Sequence, residues 1–183
     1  MKDPARFHGH LCDGLVIAFV EITSALEKLF SEGVVDRTDL RAVSKNGPCW
    51  VDAAMYLTGA PINFQTLRMD NSVGDGFILQ RISTGGTWRV SLKPGVFPAE
   101  QATLEQKLRE RRAAGLPVTA AEIDQIERMA EQLTRKVFAS PPAELLQLEL
   151  LPGYRFRATD LFGERGDTIN KTMPRFDAPE GRK

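Results

Sequence analysis

Hydrophobic positions follow different rules along the chain. From Gly14 to Val20 the stretch GLVIAFV is apolar on every side. From Glu21 onward the pattern becomes amphipathic: Glu21, Ser24, Lys28 and Ser31 form a polar stripe, with Ile22, Leu26, Leu29 and Phe30 opposite. This periodicity predicts a helix over about 12–31, stopped by Gly33. Its all-round apolar start marks a buried helix end. The residues just before it are therefore expected at the edge of the core.

A short strand is expected over 40–44. The turn KNGPC then leads, with Pro48 near the first helical position, into a second helix from Cys49 to Leu57, stopped by TGAP. Three strands follow over 62–69, 77–82 and 87–92. The last two are joined by STGGT, a hairpin turn, and Trp88, Val90 and Leu92 share one face of the last. The first 95 residues thus read as an α+β fold with N-terminal helices packed on an antiparallel meander sheet.

After KPGVFP the pattern changes. Residues 99–138 are charged and helical, divided by Pro117, and Thr119 with Glu122 predicts a capping box. The apolar stripe Ile123, Ile126, Ala130, Leu133 and Val137 is narrow, which favours docking on its own domain over a partner subunit. PPAELLQL is expected to open a short helix, YRFRA a strand, and the last dozen residues, TMPRFDAPEGRK, to be disordered.

Composition narrows the function classes. Lys+Arg and Asp+Glu are balanced at 24 each, so the basic excess of a nucleic-acid binder is missing. No apolar run approaches membrane-spanning length, and MKDPARFHGH has no signal-peptide stretch; a cytoplasmic protein without membrane partners is expected. In that compartment two cysteines are expected as free thiols or metal ligands. Neither a phosphate-cradling glycine loop nor a nucleophile elbow is present.

The candidate chemistry lies at the helix starts. The chain has two histidines, His8 and His10, and two cysteines, Cys12 and Cys49. If residues 8–12 are extended, His8, His10 and Cys12 point to one side. Both cysteines stand at predicted helix starts, where partial positive charge and unpaired N–H groups favour thiolate. Asp52 lies one turn after Cys49 among apolar neighbours, and a carboxylate there needs a partner. A metal, or a histidine bound to one, serves that need. The competing reading keeps the histidines as hydrogen-bonded structural residues, the cysteines as small apolar ones and Asp52 as a complement to the helix dipole.

FHGHLCDGLVIAFV resembles the first signature of the FmdE family of formylmethanofuran dehydrogenase components, usually His-Gly-His-x-Cys-Pro-Gly. PCWVDAAMYLTGA resembles its second, a Cys-x-x-Asp-Ala followed by Leu-Thr-Gly. The resemblance spans about residues 6–95 and extends more weakly to 150. It implies a core domain over 1–150 with a helical insertion at about 99–138, and a C-terminal extension over 151–183. It also implies a homodimer, a zinc or other divalent transition-metal site, and association with a larger redox enzyme complex. His10, Cys12 and Cys49 are the implied metal ligands; His8 and Asp52 are the implied alternative ligands or supports behind the ligands, and the implied catalytic groups, as proton acceptors beside an open fourth position. The implied function is a metal-dependent enzyme or accessory subunit of one-carbon or molybdenum/tungsten redox metabolism. The alternative is a non-catalytic metal carrier, sensor or structural dimer module. Asp13 departs from the family's proline, and its charge is expected to alter the ligand set. The Gly-Lys of the family's central strands is missing from RMDNSVGDG, and no cysteine-rich tail follows Cys49.

Overall fold

The computed structural model describes residues 1–62 and 65–157. The first element is one that the sequence pattern does not announce, the helix α1 (Lys2–His8). Pro4 sits in its first turn, where a missing N–H removes no helical bond. Gly9 ends it with φ 97°, a left-handed conformation that glycine adopts without steric cost. The condition under which His8, His10 and Cys12 would point to one side is not met: the segment is a helix end, a glycine turn and the cap of the next helix.

That next helix, α2 (Asp13–Leu29), is the spine of the fold. The sheet, the third helix and the fifth pack around it, so burial is not confined to its apolar stripe. Leu15, Val16, Ile17, Ala18, Ile22 and Ala25 are almost entirely shielded, and so are Glu21 and Ser24 from the expected polar stripe. Glu21 is fully buried, and neither carboxylate oxygen has a hydrogen-bond partner among the described residues. Burial pushes its carboxyl well above the ordinary carboxylate range, and the Leu92 backbone amide and Lys45 offset only part of that.

Strand β1 (Leu40–Ser44) leads to α3 (Pro48–Thr58) and then to β2 (Leu67–Met69). These three form a crossover unit: β2 pairs with β1 in parallel, Ala42 opposite Leu67 and Ser44 opposite Met69. This corrects the plain antiparallel meander, because a strand returned by a helix arrives in the same direction as the one it left. The expected strand at 62–69 shrinks to its last three residues; positions 63 and 64 lie outside the described residues.

On the other side of β1 lies β3 (Gly76–Arg81), antiparallel, and β4 (Thr87–Leu92) follows through the expected hairpin. The described sheet has five strands in the order β2-β1-β3-β4-β5. Its last strand, β5 (Leu146–Leu150), pairs with β4 and has no counterpart among the expected strands. The short helix expected from PPAELLQL is present as α6 (Pro142–Leu145), but LQLEL turns into the sheet, where the open edge of β4 supplies hydrogen bonds. The expected strand at YRFRA is not formed over Tyr154–Arg157; Gln80 of β3 donates to the Tyr154 carbonyl at 3.1 Å, and the Arg41 guanidinium of β1 lies 5.2 Å from the centre of the Phe156 ring. The segment expected to be disordered, 172–183, lies outside the described residues.

Between β4 and β5 the chain forms α4 (Ala99–Ala113) and α5 (Ala120–Ala139). The Thr119–Glu122 capping box opens α5 as expected. Its stripe is divided in two: Leu133 and Val137 are buried and join the core, whereas Ile123 is 47% exposed. Helices first, a mostly antiparallel sheet and a helical appendage thus make an α+β fold.

Candidate metal centre

The candidate site is assembled where α1 ends and where α2 and α3 begin. Cys12 is the N-cap of α2, extended at φ −133° and ψ 165°, and its Sγ accepts the Leu15 amide at 3.4 Å. Cys49 follows Pro48 in the first turn of α3. The two helix starts approach closely because position 14 is glycine. A Cβ there would lie 3.1 Å from Cys49 Sγ and 3.2 Å from the Trp50 ring. The result is a Cys12–Cys49 Sγ separation of 3.5 Å.

His8 completes the group from the last residue of α1. The Gly9 turn folds the chain back, so that His8 Nε2 lies 3.6 Å from Cys49 Sγ. The other ring nitrogen, Nδ1, donates to Asp52 Oδ2 at 2.7 Å. The imidazole is thus held in one orientation, with Nε2 turned to the thiols. The side chain of His8 is 5% exposed and that of Asp52 32%. Among the described residues His8, Cys12 and Cys49 form a group whose donor atoms all lie within 4.8 Å of one another.

The electrostatics make one thiol a thiolate. Cys12 is lowered to about 5, first by the hydrogen bond from Cys49, with further help from the Leu15 amide and from His8 and His10, against the opposing effect of burial. Cys49 is pushed in the other direction by that same bond, by burial and by the charges of Cys12 and Asp13. The pair therefore shares one proton, with Cys49 donating to Cys12. At His8 burial favours the neutral ring, but the Asp52 hydrogen bond and the nearby Cys12 outweigh it, and the net shift is upward.

Of the residues singled out in the sequence, the structure gathers His8, Cys12, Cys49 and Asp52. His10 stands outside the three-donor group; it is exposed, and its ring centre is 4.8 Å from that of His8. The Gly9 turn is the reason, since it breaks the alternation that would have placed both histidines on one side. Two contributors escaped the sequence reading. Gly14 carries a local signal, a glycine inside an otherwise large apolar helix start. Gln101 carries none: it reaches the site's rim from 88 positions away and donates to Asp13 Oδ2 at 2.6 Å.

The donor set suits a divalent transition metal. A tetrahedral zinc with sulfur at about 2.3 Å and ring nitrogen at about 2.0–2.1 Å sets donor–donor edges of about 3.5–3.8 Å. The Cys49 Sγ–His8 Nε2 separation of 3.6 Å matches the sulfur–nitrogen edge, the Sγ–Sγ separation of 3.5 Å is a few tenths of an ångström short of the sulfur–sulfur edge, and all three donors lie within 4.8 Å of one another. The carboxylate behind the imidazole is the support that a metal-binding histidine commonly has.

No curated protein matches the chain significantly. A solved structure of an FmdE-like protein of tungsten formylmethanofuran dehydrogenase from Syntrophus aciditrophicus is similar, with a TM-score of 0.46 and 20% identity over 83% of this chain and 71% of that one. The profile of the family described as "FmdE, Molybdenum formylmethanofuran dehydrogenase operon" matches residues 7–147. That span takes in His8, Cys12, Cys49 and Asp52 and most of the chain, and the protein therefore belongs to the FmdE family.

Proposed function

We propose that the protein is a zinc-dependent enzyme or accessory subunit that works with molybdenum or tungsten formylmethanofuran dehydrogenase chemistry in the cytoplasm. The observation that carries this reading is the continuous line Asp52–His8–Cys49–Cys12, with contacts of 2.7, 3.6 and 3.5 Å. In it each ring nitrogen of His8 has a partner. His8 is therefore assigned as a ligand through Nε2, in place of His10, and Asp52 as the residue that fixes its ring. Cys12 and Cys49 supply the other two donors.

Three protein donors leave a fourth position for a substrate atom. A bound divalent ion would supply Lewis-acid polarisation there. Two thiolates and a neutral imidazole make divalent zinc formally neutral, which tempers that acidity. His10 is exposed, with its ring centre 4.8 Å from that of His8. Phe7 and Leu11, 52% and 53% exposed, flank the site as apolar surface, and we assign them to a homodimer contact or to the larger redox complex.

Elemental analysis tests the reading. The purified protein is expected to carry one zinc or similar ion per chain, and Cys12→Ala and Cys49→Ala are expected to lose it. A metal-free native protein whose cysteine variants are equally stable ends the proposal. Asp52→Asn is expected to keep stoichiometric metal with affinity lowered about 10–100-fold, the usual cost of losing the group behind a ligating histidine.

The alternative, a carrier or sensor, draws on the half-buried state of both cysteines, which leaves a path for exchange. Release of the ion to a chelator within minutes favours it; retention for days favours the enzyme or accessory role.

A further inference from the structure

The departure from the family motif at position 13 has a counterpart in the appendage. The Asp13 carboxylate is held at both oxygens: Oδ1 accepts the Gly14 amide at 2.8 Å and Oδ2 accepts Gln101 Nε2 at 2.6 Å. Gln101 belongs to α4, a helix with a charged surface whose only buried residues are Gln101 and Leu108. Gln101 is fully shielded from solvent. Its amide nitrogen donates a second time, to Glu105 Oε1 at 2.9 Å, while its own Oε1 has no partner among the described residues.

That orientation is dictated by charge. Turned over, the amide would aim its oxygen at two carboxylates; as placed, it leaves a buried oxygen unsatisfied and bridges Asp13 to Glu105. Glu105 continues the line to Arg109 at 3.6 Å. A fully buried glutamine kept with an orphaned oxygen is explained by what it holds. Asp13 is the next residue after Cys12, and its glycine neighbour is packed on Cys49.

We propose that Gln101 is a positioning residue that pins the Asp13 carboxylate at the rim of the His8–Cys12–Cys49 centre and so keeps it from becoming a donor. The helical appendage thereby controls the donor set of the centre. This inference rests on the reading of the three residues as a metal centre. Without the Gln101 bond, Oδ2 is free to turn, and a carboxylate oxygen competes for the open position of a divalent ion.

Cobalt(II), which reports its donors through its visible absorption, is the probe. The full-length protein loaded with cobalt gives a reference spectrum and a reference affinity. Gln101→Leu is expected to change the visible band and to tighten cobalt binding at least 10-fold, and Gln101→Leu with Asp13→Ala is expected to return both towards the reference. Asp13→Ala alone is expected to leave the spectrum unchanged, because a pinned carboxylate contributes no donor. Asp13→Ala alone serves as the test if Gln101→Leu does not fold, which circular dichroism reports.

A wild-type protein that binds no cobalt overturns the metal reading and this inference with it. A wild-type protein that binds cobalt, with the same spectrum and affinity in folded Gln101→Leu, overturns the inference alone. A changed spectrum in Asp13→Ala does so as well, since it makes Asp13 a donor already.

Discussion

The His8–Cys12–Cys49 cluster, the candidate metal centre, and the far end of the α4–α5 pair are both built from helix ends, yet they are held in opposite ways. At the centre, α2 and α3 meet through a glycine, with two thiols 3.5 Å apart and a histidine that is almost fully shielded. At the far end the helices part around an open groove, and Leu116 and Ile123 are 54% and 47% exposed. The first region depends on close approach, so one added carbon atom disturbs it. The second is anchored elsewhere, by Leu133 and Val137 in the core and by the buried Gln101 at the rim of the centre. Local stability is therefore expected to fall from the anchored half of α5 towards its exposed start.

The largest effect expected from this contrast is chemical. In the metal-free protein Cys12 alkylation is expected to reach half its maximal rate near pH 5, where its thiol is poised, and not in the ordinary thiol range of about 8.5. Iodoacetamide labelling followed by mass spectrometry across pH 4–9 measures it; a midpoint in the ordinary range removes the asymmetry between the two cysteines.

Next in size is the anchoring of the appendage. Leu133→Ala is expected to cost about 2–5 kcal/mol in denaturant unfolding, as for other fully buried leucines. Leu116→Ala at the exposed end is expected to stay within about 0.5 kcal/mol. Equal costs at the two positions erase the distinction between anchored and free ends.

Gly14→Val probes the close approach. Its side chain meets Cys49 and Trp50, and it is expected to cost about 1–3 kcal/mol through overpacking and to weaken metal binding as the thiols are pushed apart. A variant that unfolds like the wild type and keeps its metal shows that the helix starts have slack.

Glu21 is the fully buried carboxyl of the spine helix. Its folded carboxyl is raised, so its contribution is fully present below the unfolded value of 4.5 and is lost as pH rises through the folded value. Wild-type stability is expected to decline over that window. Glu21→Gln is expected to remove the decline and to be more stable than wild type by about 1–3 kcal/mol at pH 8, with little difference at pH 4. A parallel pair of pH–stability curves contradicts this.

Much of this architecture is legible in local pattern. The helix over α2, strands β1, β3 and β4, the hairpin between the last two and the capping box of α5 each follow from periodicity or from turn and cap chemistry within a short window. The elements that local pattern misses answer to distant partners. β5 is a strand because β4 offers it an edge, and β2 is parallel because α3 returns the chain. α1 depends on a glycine whose left-handed turn the alternating pattern of His8, His10 and Cys12 conceals. Glu21 reads as a solvent-facing residue of an amphipathic helix, and becomes buried because α2 is packed on several sides.

At the site, neighbours along the chain set the residue types and two helix starts that carry cysteine. They also set Asp52 one turn from Cys49 in apolar surroundings, in need of a partner. Those are properties of neighbours along the chain, and helical geometry is enough to derive them. Long-range packing sets which imidazole lies beside the thiols, that of His8, and brings Asp52 to its far nitrogen and Gln101 to Asp13. Those pairings span 41, 44 and 88 positions. Hydrogen bonds and donor groups act over a few ångströms, and no local period encodes which distant side chain the packing of α1, α3 and α4 around α2 brings within that range.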